Sequence, residues 1–259
     1  VLKPSEQDPM STMELVALAL QAGVPAGVLN VVHGGKDVVD AICTHPDIVA
    51  VSFVGSTEVG THVYNLAGQH GKRVQSMMGA KNHAVILPDA NKEQALNALA
   101  GAAFGAAGQR CMATSVAVFV GAAKEWLPDV VTRAKALKVN AGTEPGTDVG
   151  PVISPRAKER IERLIASGPS EGADLLLDGR GIKIPGYEAG NFIGPTVIAN
   201  VKTTMQVYMQ EIFGPVLITL NVDTLADAIA LVNANPFGNG VGLFTQSGAA
   251  ARRFQSEID

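Results

Sequence analysis

Short apolar runs rich in β-branched residues alternate with helical patterns along this chain, and this alternation constrains the fold most. In the first third, four strand-like runs surround two helical patterns: VLNVV (28–32), IVAVSFVG (48–55), KRVQSMM (72–78) and HAVIL (83–87). The runs carry few internal charges, as strands covered on both faces do. This order of elements predicts a doubly wound α/β unit, with a mostly parallel sheet and helices on both faces.

The pattern changes at a long helical stretch rich in alanine and glycine, which Asp89 or Asn91 can cap. Further strand and helix patterns follow it, including SVAVFV (115–120), PVLITLNV (215–222) and GVGLFT (240–245). We therefore predict a second α/β domain, with residues 1–82 in the first domain and residues 83–259 in the second.

Composition excludes several classes of protein. Hydrophobic residues make up 47% of the chain and charged residues 17%, which is typical of a folded protein with a large core. The net charge of −4 predicts no general attraction to nucleic acid or to anionic membranes. No run of eighteen apolar residues is present, so we expect no membrane partner, and two cysteines indicate a reducing compartment.

Neither a metal site nor a serine-nucleophile motif emerges from the residue spacing. The five histidines form no i,i+4 pair, and no cysteine lies at a ligand spacing from them, so we predict no metal. No GxSxG motif occurs. Both ends, VLKPSEQDP and RRFQSEID, interrupt a strand or helix pattern, so we expect a fragment of a longer protein.

Cys111 is the residue that most suggests chemistry. It follows Arg110 at the end of a run of small residues, AAGQRCMATS (106–115). A nearby positive charge favours the thiolate, and a glycine-rich turn lets a substrate approach the backbone closely. The alternative is a buried cysteine that acts as a small hydrophobic residue. Cys43, at a helical position, fits that alternative better.

The segment FVGSTEVG (53–60) runs from a strand into a helix. Ser56 and the first backbone N–H groups of that helix would face an anion at its N-terminus. The spacing is neither GxGxxG nor that of a Walker A loop. A simple helix cap, with Ser56 or Thr57 as the N-cap and Glu58 nearby, is the alternative.

Five motifs in order identify the chain as resembling the aldehyde dehydrogenase superfamily: KPSE, FVGSTEVG, GQRCMA, EIFGPV and NPFGNGVGLFT. The strings MGAKNHAVILPDAN and GAAFGAAGQRCMA resemble its CoA-acylating methylmalonate-semialdehyde dehydrogenase branch. Members of the family are much longer than this chain. The resemblance therefore implies that residues 1–82 are the C-terminal part of an NAD-binding domain, and residues 83–259 a truncated catalytic domain.

The resemblance also implies a role for each matching position. Cys111 matches the nucleophile, and Lys3 and Glu6 match residues that hold the adenosine ribose of NAD. Ser56 matches a contact to the pyrophosphate. Glu211 matches the ligand of the nicotinamide ribose, and Phe213 the residue beside the nicotinamide ring.

The implied reaction is NAD-dependent oxidation of methylmalonate or malonate semialdehyde through a thioester on Cys111. Hydrolytic relatives carry a glutamate in the string that here reads SMMGAK (76–81), and this chain has Met77 at that position. A thioether cannot activate water, so coenzyme A is the expected acyl acceptor. The acylating branch usually has a polar amide there. Arg110 is expected to clamp the substrate carboxylate.

Two alternatives are a hydrolytic aldehyde dehydrogenase and a catalytically incompetent fragment that serves as a scaffold. For the intact parent, the resemblance implies a small-molecule semialdehyde substrate and a homo-oligomer. Its expected location is the cytoplasm, or the mitochondrial matrix in a eukaryote.

Overall fold

The computed structural model describes residues 1–259 and divides them into two compact α/β units, Val1–Gly79 and Ala80–Asp259. The division falls three residues before the boundary expected from the sequence. The reason is that Asn82 already opens a strand of the second unit's sheet, and Lys81 is buried in that unit. None of the helices has both the length and the apolar character required to cross a membrane.

The first unit contains a two-stranded parallel sheet and three helices. Its elements are α1 (Met10–Gln21), α2 (Lys36–Thr44), β1 (Ala50–Val54), α3 (Thr57–Gln69) and β2 (Arg73–Met77). Strands β1 and β2 pair in register from Ala50 opposite Arg73 to Val54 opposite Met77. A small core of Cys43, Val63 and Ala67 joins α2 and α3 to this sheet.

One predicted strand of the first unit is wrong. Residues 28–32 form a turn and a single parallel bridge between Leu2 and Val31. Pro25 and Gly27 start this turn, and Gly27 has a φ of +86°. The apolar residues of this run therefore have no ladder of hydrogen bonds to join, although their composition favours a strand.

The second unit contains a six-stranded sheet flanked by helices. Its elements are β3 (Asn82–Ile86), α4 (Lys92–Phe104), β4 (Thr114–Val120), α5 (Leu127–Ala136), α6 (Pro155–Ser170), β5 (Asp174–Leu177), β6 (Thr196–Ala199), α7 (Gln206–Met209), β7 (Val216–Val222), α8 (Leu225–Asn233), β8 (Val241–Phe244) and α9 (Gly248–Glu257). Two 3₁₀ segments, Gly105–Gly108 and Gly121–Trp126, follow α4 and β4.

The strand order in this sheet is β5-β6-β7-β4-β3-β8, and every pair is parallel except β5 with β6. All five residues of β3 are buried, as expected for a strand covered on both faces. Asn91 caps α4 by accepting from the N–H of Gln94, so of the two candidate caps the second is the one used.

The parallel arrangement places several loop residues at one edge of the sheet. Strands β3, β4, β7 and β8 are all parallel to each other. The segments that come just before them therefore gather at their amino-terminal ends. Those segments contain Cys111, Phe213 and Gly240, and Asn82 is the first residue of β3.

Candidate active site

Cys111 lies in an exposed turn between α4 and β4. The chain reaches it through three consecutive residues with left-handed backbone: Ala106 and Ala107, both at φ +52°, and Gly108 at φ +66°. Non-glycine residues in this region cost free energy and persist only where surrounding contacts hold them. The backbone N–H of Cys111 donates to no other backbone group. It is therefore available to an oxygen atom that becomes negatively charged on a carbon bound to the sulfur.

The turn before Cys111 packs directly on the backbone of the EIFGPV segment. A Cβ atom at Gly108 would lie 2.0 Å from the carbonyl oxygen of Gly214, a distance that no side chain tolerates. Phe213, the residue before this contact, also has a left-handed φ of +53°. Three of the five non-glycine residues of the second unit that have a positive φ thus lie where two of the predicted motifs meet.

Arg110 is anchored to the end of α4. Its Nη2 atom donates to the carbonyl oxygens of Gly101 and Ala102, at 2.8 and 3.2 Å. Both of these carbonyls belong to the last turn of the helix, where a cation interacts favourably with the helix dipole. All hydrogen bonds of the guanidinium come from this single nitrogen, so Nε and Nη1 remain available to a ligand.

Glu211 is held from both its side chain and its main chain. Its Oε1 accepts a hydrogen bond of 3.0 Å from the N–H of Ala80. Arg160 donates from Nη1 to the carbonyl of Glu211 and from Nη2 to the carbonyl of Ile212, at 2.8 and 2.5 Å. Partial burial lowers the pKa of Arg160, and the charge of Glu211 opposes that shift. This fork fixes the backbone that leads into Phe213.

The structure brings four of the predicted site residues together in the second unit. Arg110, Cys111, Glu211 and Phe213 all line one narrow crevice of about 20 Å³. The thiol, the guanidinium, a carboxylate and an aromatic ring therefore share a space that holds about one water molecule.

Sequence reasoning missed four polar residues that support this crevice: Lys81, Asn82, Arg160 and Asn239. Asn82 and Asn239 both donate to the carbonyl of Cys111. Their signal in the sequence is weak. The best clue is KNH (81–83), three polar residues at the start of a strand that is otherwise apolar, where unpaired polar groups are costly.

Lys81 is almost fully buried, and Nζ donates to the carbonyl oxygens of Val207 and Gln210, both at 2.6 Å. Burial lowers its pKa to about 7, against the opposing attraction of Glu211. The next buried polar residue, His83, contacts the hydroxyl of Tyr208 at 3.1 Å. Burial lowers the pKa of His83 to about 4. His83 is therefore neutral at pH 7, and Lys81 releases its proton far below the usual range of lysine.

Lys3 and Glu6, in the first unit, are brought together as an ion pair of 3.3 Å. Lys3 Nζ also donates to the carbonyl of Gly34 at 3.0 Å, which ties the KPSE segment to the loop before α2. The pKa of Glu6 lies below its ordinary value because its own backbone N–H and then Lys3 stabilise the carboxylate.

A cavity of about 810 Å³ opens beside this ion pair, entirely within the first unit. Its polar lining includes Lys3, Glu6, Lys36 and His62, and its apolar wall includes Val51 and Phe53. This volume lies within the range of small-molecule and cofactor sites, which combine apolar walls with a few polar groups.

Ser56 is the N-cap of α3, and its Oγ accepts from the N–H of Val59 at 3.4 Å. The hydroxyl thus serves as the simple cap that the sequence allowed, and its own hydrogen remains free to donate. Ser56 does not line the 810 Å³ cavity, although Glu58 and Val59 of the same turn do.

Met77 is the last residue of β2, and half of its surface is exposed. Its sulfur has one weak contact, with Nε2 of Gln75 at 3.9 Å. Cys43, the second cysteine, is fully buried, and burial raises the pKa of its thiol. No group of histidine, cysteine and acidic side chains is arranged to hold a metal ion.

Comparison with known proteins gives a consistent result over the whole chain. The model of the aldehyde dehydrogenase family matches residues 1–259. A mitochondrial protein of Aedes aegypti, a probable acylating methylmalonate-semialdehyde/malonate-semialdehyde dehydrogenase, is 61% identical over 100% of this chain and 50% of its own length. The human mitochondrial protein of that name is 58% identical over 100% of this chain and 48% of its own length. The chain therefore spans about half the length of these relatives.

Solved structures agree with the sequence relatives. A putative methylmalonate-semialdehyde dehydrogenase of Sinorhizobium meliloti 1021, complexed with NAD, superimposes with a TM-score of 0.96 at 49% identity, over 99% of this chain and 53% of that one. Betaine aldehyde dehydrogenase of Staphylococcus aureus superimposes with a TM-score of 0.94 at 30% identity, over 99% of this chain and 52% of that one.

Proposed function

The chain belongs to the aldehyde dehydrogenase family, and on that premise we propose the reaction of the intact protein that contains it. That reaction is the NAD-dependent oxidation of methylmalonate semialdehyde to propionyl-CoA, or of malonate semialdehyde to acetyl-CoA. One aldehyde, one coenzyme A and one NAD⁺ yield one acyl-CoA, one CO₂ and one NADH. The relatives named for this acylating activity support the assignment.

The observation that carries the proposal is the crevice shared by Arg110, Cys111, Glu211 and Phe213. An exposed thiol at the mouth of a crevice is accessible to an aldehyde carbon. The sulfur adds to the carbonyl, and the oxyanion that forms accepts a hydrogen bond from the free N–H of Cys111. Once the hydride has left, the acyl group remains on Cys111 as a thioester whose carboxylate is β to the thioester carbonyl. The bond to that carboxylate then breaks, CO₂ leaves, and the carbon that carried it takes up a proton from solvent.

The residues of the chain also fit NAD, which accepts the hydride when it is bound. In the first unit, the 810 Å³ cavity offers the carboxylate of Glu6 and the ammonium of Lys3 to the hydroxyls of a ribose. The free hydrogen of Ser56, at the N-terminus of α3, suits a pyrophosphate. In the second unit, Glu211 has one carboxylate oxygen held by Ala80, and the other can accept from a ribose hydroxyl. The ring of Phe213 suits contact with the nicotinamide.

Arg110 binds the carboxylate of the semialdehyde in this proposal. Its Nη2 atom is occupied by the end of α4, which fixes the guanidinium next to Cys111. Nη1 then donates a charge-assisted hydrogen bond to the carboxylate, while Nε–H lies on a different edge of the guanidinium. An acidic aldehyde would thus be oriented with its carbonyl towards the sulfur.

Met77 determines the acyl acceptor in this proposal. Its sulfur cannot deprotonate water, whereas hydrolysis of a thioester needs a positioned base. The thioester therefore persists until the thiol of coenzyme A attacks it, which releases acyl-CoA and restores Cys111. The hydrolytic alternative would require that a residue other than Met77 supplies the base.

Three wider assignments accompany the proposal. The first unit, Val1–Gly79, forms the C-terminal part of the NAD-binding domain, and the second unit, Ala80–Asp259, forms part of the catalytic domain. The intact protein is a homo-oligomer that acts on a small-molecule substrate. It resides in the cytoplasm or, in a eukaryote, in the mitochondrial matrix, as relatives described as mitochondrial do.

The experiment that tests the proposal is an assay of NADH formation by the intact protein with malonate semialdehyde, with and without coenzyme A. We expect rapid turnover only with coenzyme A, and acetyl-CoA as the product identified by mass spectrometry. Rapid turnover to free acid without coenzyme A would support the hydrolytic alternative instead. No NADH under either condition would support the scaffold alternative.

A further inference from the structure

We propose that Asn82 and Asn239 are positioning residues for the nucleophile, because both hold the carbonyl group of Cys111. This inference rests on the proposed function, in which Cys111 is the nucleophile. Neither side chain touches the sulfur. Both act on the main chain of the residue that carries it.

Asn82 uses its whole amide group on this one region. Its Nδ2 donates to the carbonyl of Cys111 at 2.6 Å and to the carbonyl of Ala113 at 2.9 Å. Its Oδ1 accepts from the N–H of Gly240 at 3.0 Å. The residue is 95% buried at the start of β3, where water cannot replace these bonds. Asn82 therefore links the nucleophile turn to the loop before β8.

Asn239 completes the arrangement from that loop. Its Nδ2 donates to the same carbonyl of Cys111 at 2.7 Å. Its φ of +104° is rare for a residue with a side chain, so the surrounding contacts must hold it there. The neighbouring Gly240 supplies the N–H that orients Asn82. The two amides thus form one unit, which we call the carbonyl clamp: Asn82, Asn239 and the carbonyl of Cys111.

The clamp restricts the nucleophile by fixing the peptide plane that follows it. A carbonyl oxygen has two lone pairs, and both are occupied here. Fixing that plane restricts ψ of Cys111 and therefore the direction of its Cα–Cβ bond. This restriction matters because the turn is exposed: 61% of the surface of Met112, the next residue, is accessible. Attack on a carbonyl depends steeply on such alignment.

The test uses two variants of the intact protein, each with a matched control. Asn82→Asp keeps the acceptor for Gly240 but removes both donors. Its control is Asn233→Asp, because Asn233 also donates to a main-chain carbonyl and accepts from a main-chain N–H, at the end of α8. Asn239→Ala removes one exposed donor. Its control is Asn30→Ala, an exposed asparagine that donates to the carbonyl of Gly27.

Two readouts are measured on each variant. The first is the rate of the pre-steady-state burst of NADH at saturating aldehyde and NAD, together with the KM for NAD. We expect the burst to slow roughly 3- to 10-fold in Asn239→Ala, the worth of one neutral hydrogen bond, and roughly 10- to 100-fold in Asn82→Asp. In the two clamp variants the KM for NAD should stay within about twofold of the wild-type value, since the clamp acts on alignment and not on cofactor affinity. In both controls the burst rate should also stay within about twofold of wild type.

The second readout is hydrogen exchange of the peptide that covers residues 106–115, which needs neither aldehyde nor NAD. We expect faster exchange there in Asn82→Asp and Asn239→Ala, with unchanged exchange in α6. A wild-type protein without a burst but with this exchange pattern would refute the proposed function and leave the clamp supported. A burst rate in Asn239→Ala that equals that of wild type, or that falls only as much as in its control, would refute the clamp. Asn239 is exposed, so we expect this variant to fold.

Discussion

Nζ of Lys81 lies 2.6 Å from the carbonyl oxygen of Val207, deep inside the second unit. Because burial lowers the pKa of this lysine to about 7, its folded form releases the proton that the unfolded chain keeps up to pH 10. Unfolding between pH 7 and 10 therefore takes up a proton, and raising the pH opposes it. This contribution to stability is absent below pH 7 and grows as the pH rises.

We predict from this that the free energy of unfolding of wild type rises by about 2–3 kcal/mol relative to that of Lys81→Met when the pH is raised from 7 to 9. Methionine cannot titrate, so the difference between the two proteins isolates Lys81. The measurement is urea unfolding at pH 7, 8 and 9 for both proteins. Parallel pH profiles would mean that Lys81 titrates outside this range.

We predict that Cys111→Ser abolishes the NADH burst, because a serine hydroxyl at that place has no base to activate it. The matched control is Cys43→Ala, which changes a cysteine that is fully buried in the first unit. It should retain the burst, with at most a modest loss of stability. Stopped-flow absorbance at 340 nm measures both. Comparable losses in the two variants would remove the assignment of Cys111 as nucleophile.

We predict that Arg110→Leu discriminates between aldehydes. Activity on malonate semialdehyde should fall roughly 10- to 100-fold, the worth of a charged hydrogen-bonded pair. Activity on propanal, which has no carboxylate, should fall much less and thereby reports the loss of the contacts with Gly101 and Ala102. The measurement is kcat/KM for each substrate. Equal losses on both would assign Arg110 to structure alone.

We predict that Met77→Glu raises the slow turnover without coenzyme A by at least about tenfold. The new carboxylate supplies a base for water, although an evolved base contributes more, typically about 10²–10⁴-fold. The control is Met78→Glu, which introduces the same carboxylate one residue further along. In wild type without coenzyme A, the burst should stop near one equivalent of NADH per site. No difference between the two variants would show that a carboxylate at position 77 does not act as the base for hydrolysis.

The sequence predicted those elements whose local pattern matches their environment. Strands β3, β4 and β7 are buried on both faces, and their β-branched runs identified them. Helix α1 was overlooked because its apolar residues show no one-sided period, and none of its side chains is buried in the structure. The short strands β5 and β6 lie in glycine-rich sequence, where four residues carry little signal.

The residues of the candidate site likewise fall into those that a local motif identifies and those that only the folded structure brings together. Cys111, Glu211 and Phe213 belong to motifs that can be identified in one dimension. Asn82 and Asn239 act through contacts across 29 and 128 positions, and no local pattern encodes such pairing. Arg160 likewise reaches Glu211 from α6, across 51 positions.

These separations have a consequence for synthesis on the ribosome. Asn82 receives its hydrogen bond from Gly240, which is made 158 residues later. At about 5–20 residues per second, that residue emerges roughly 8–30 s after Asn82. Throughout this interval β3 also lacks β8, its outer neighbour in the sheet. The nascent chain thus carries an exposed, unaligned thiol and an open strand edge until translation has passed β8.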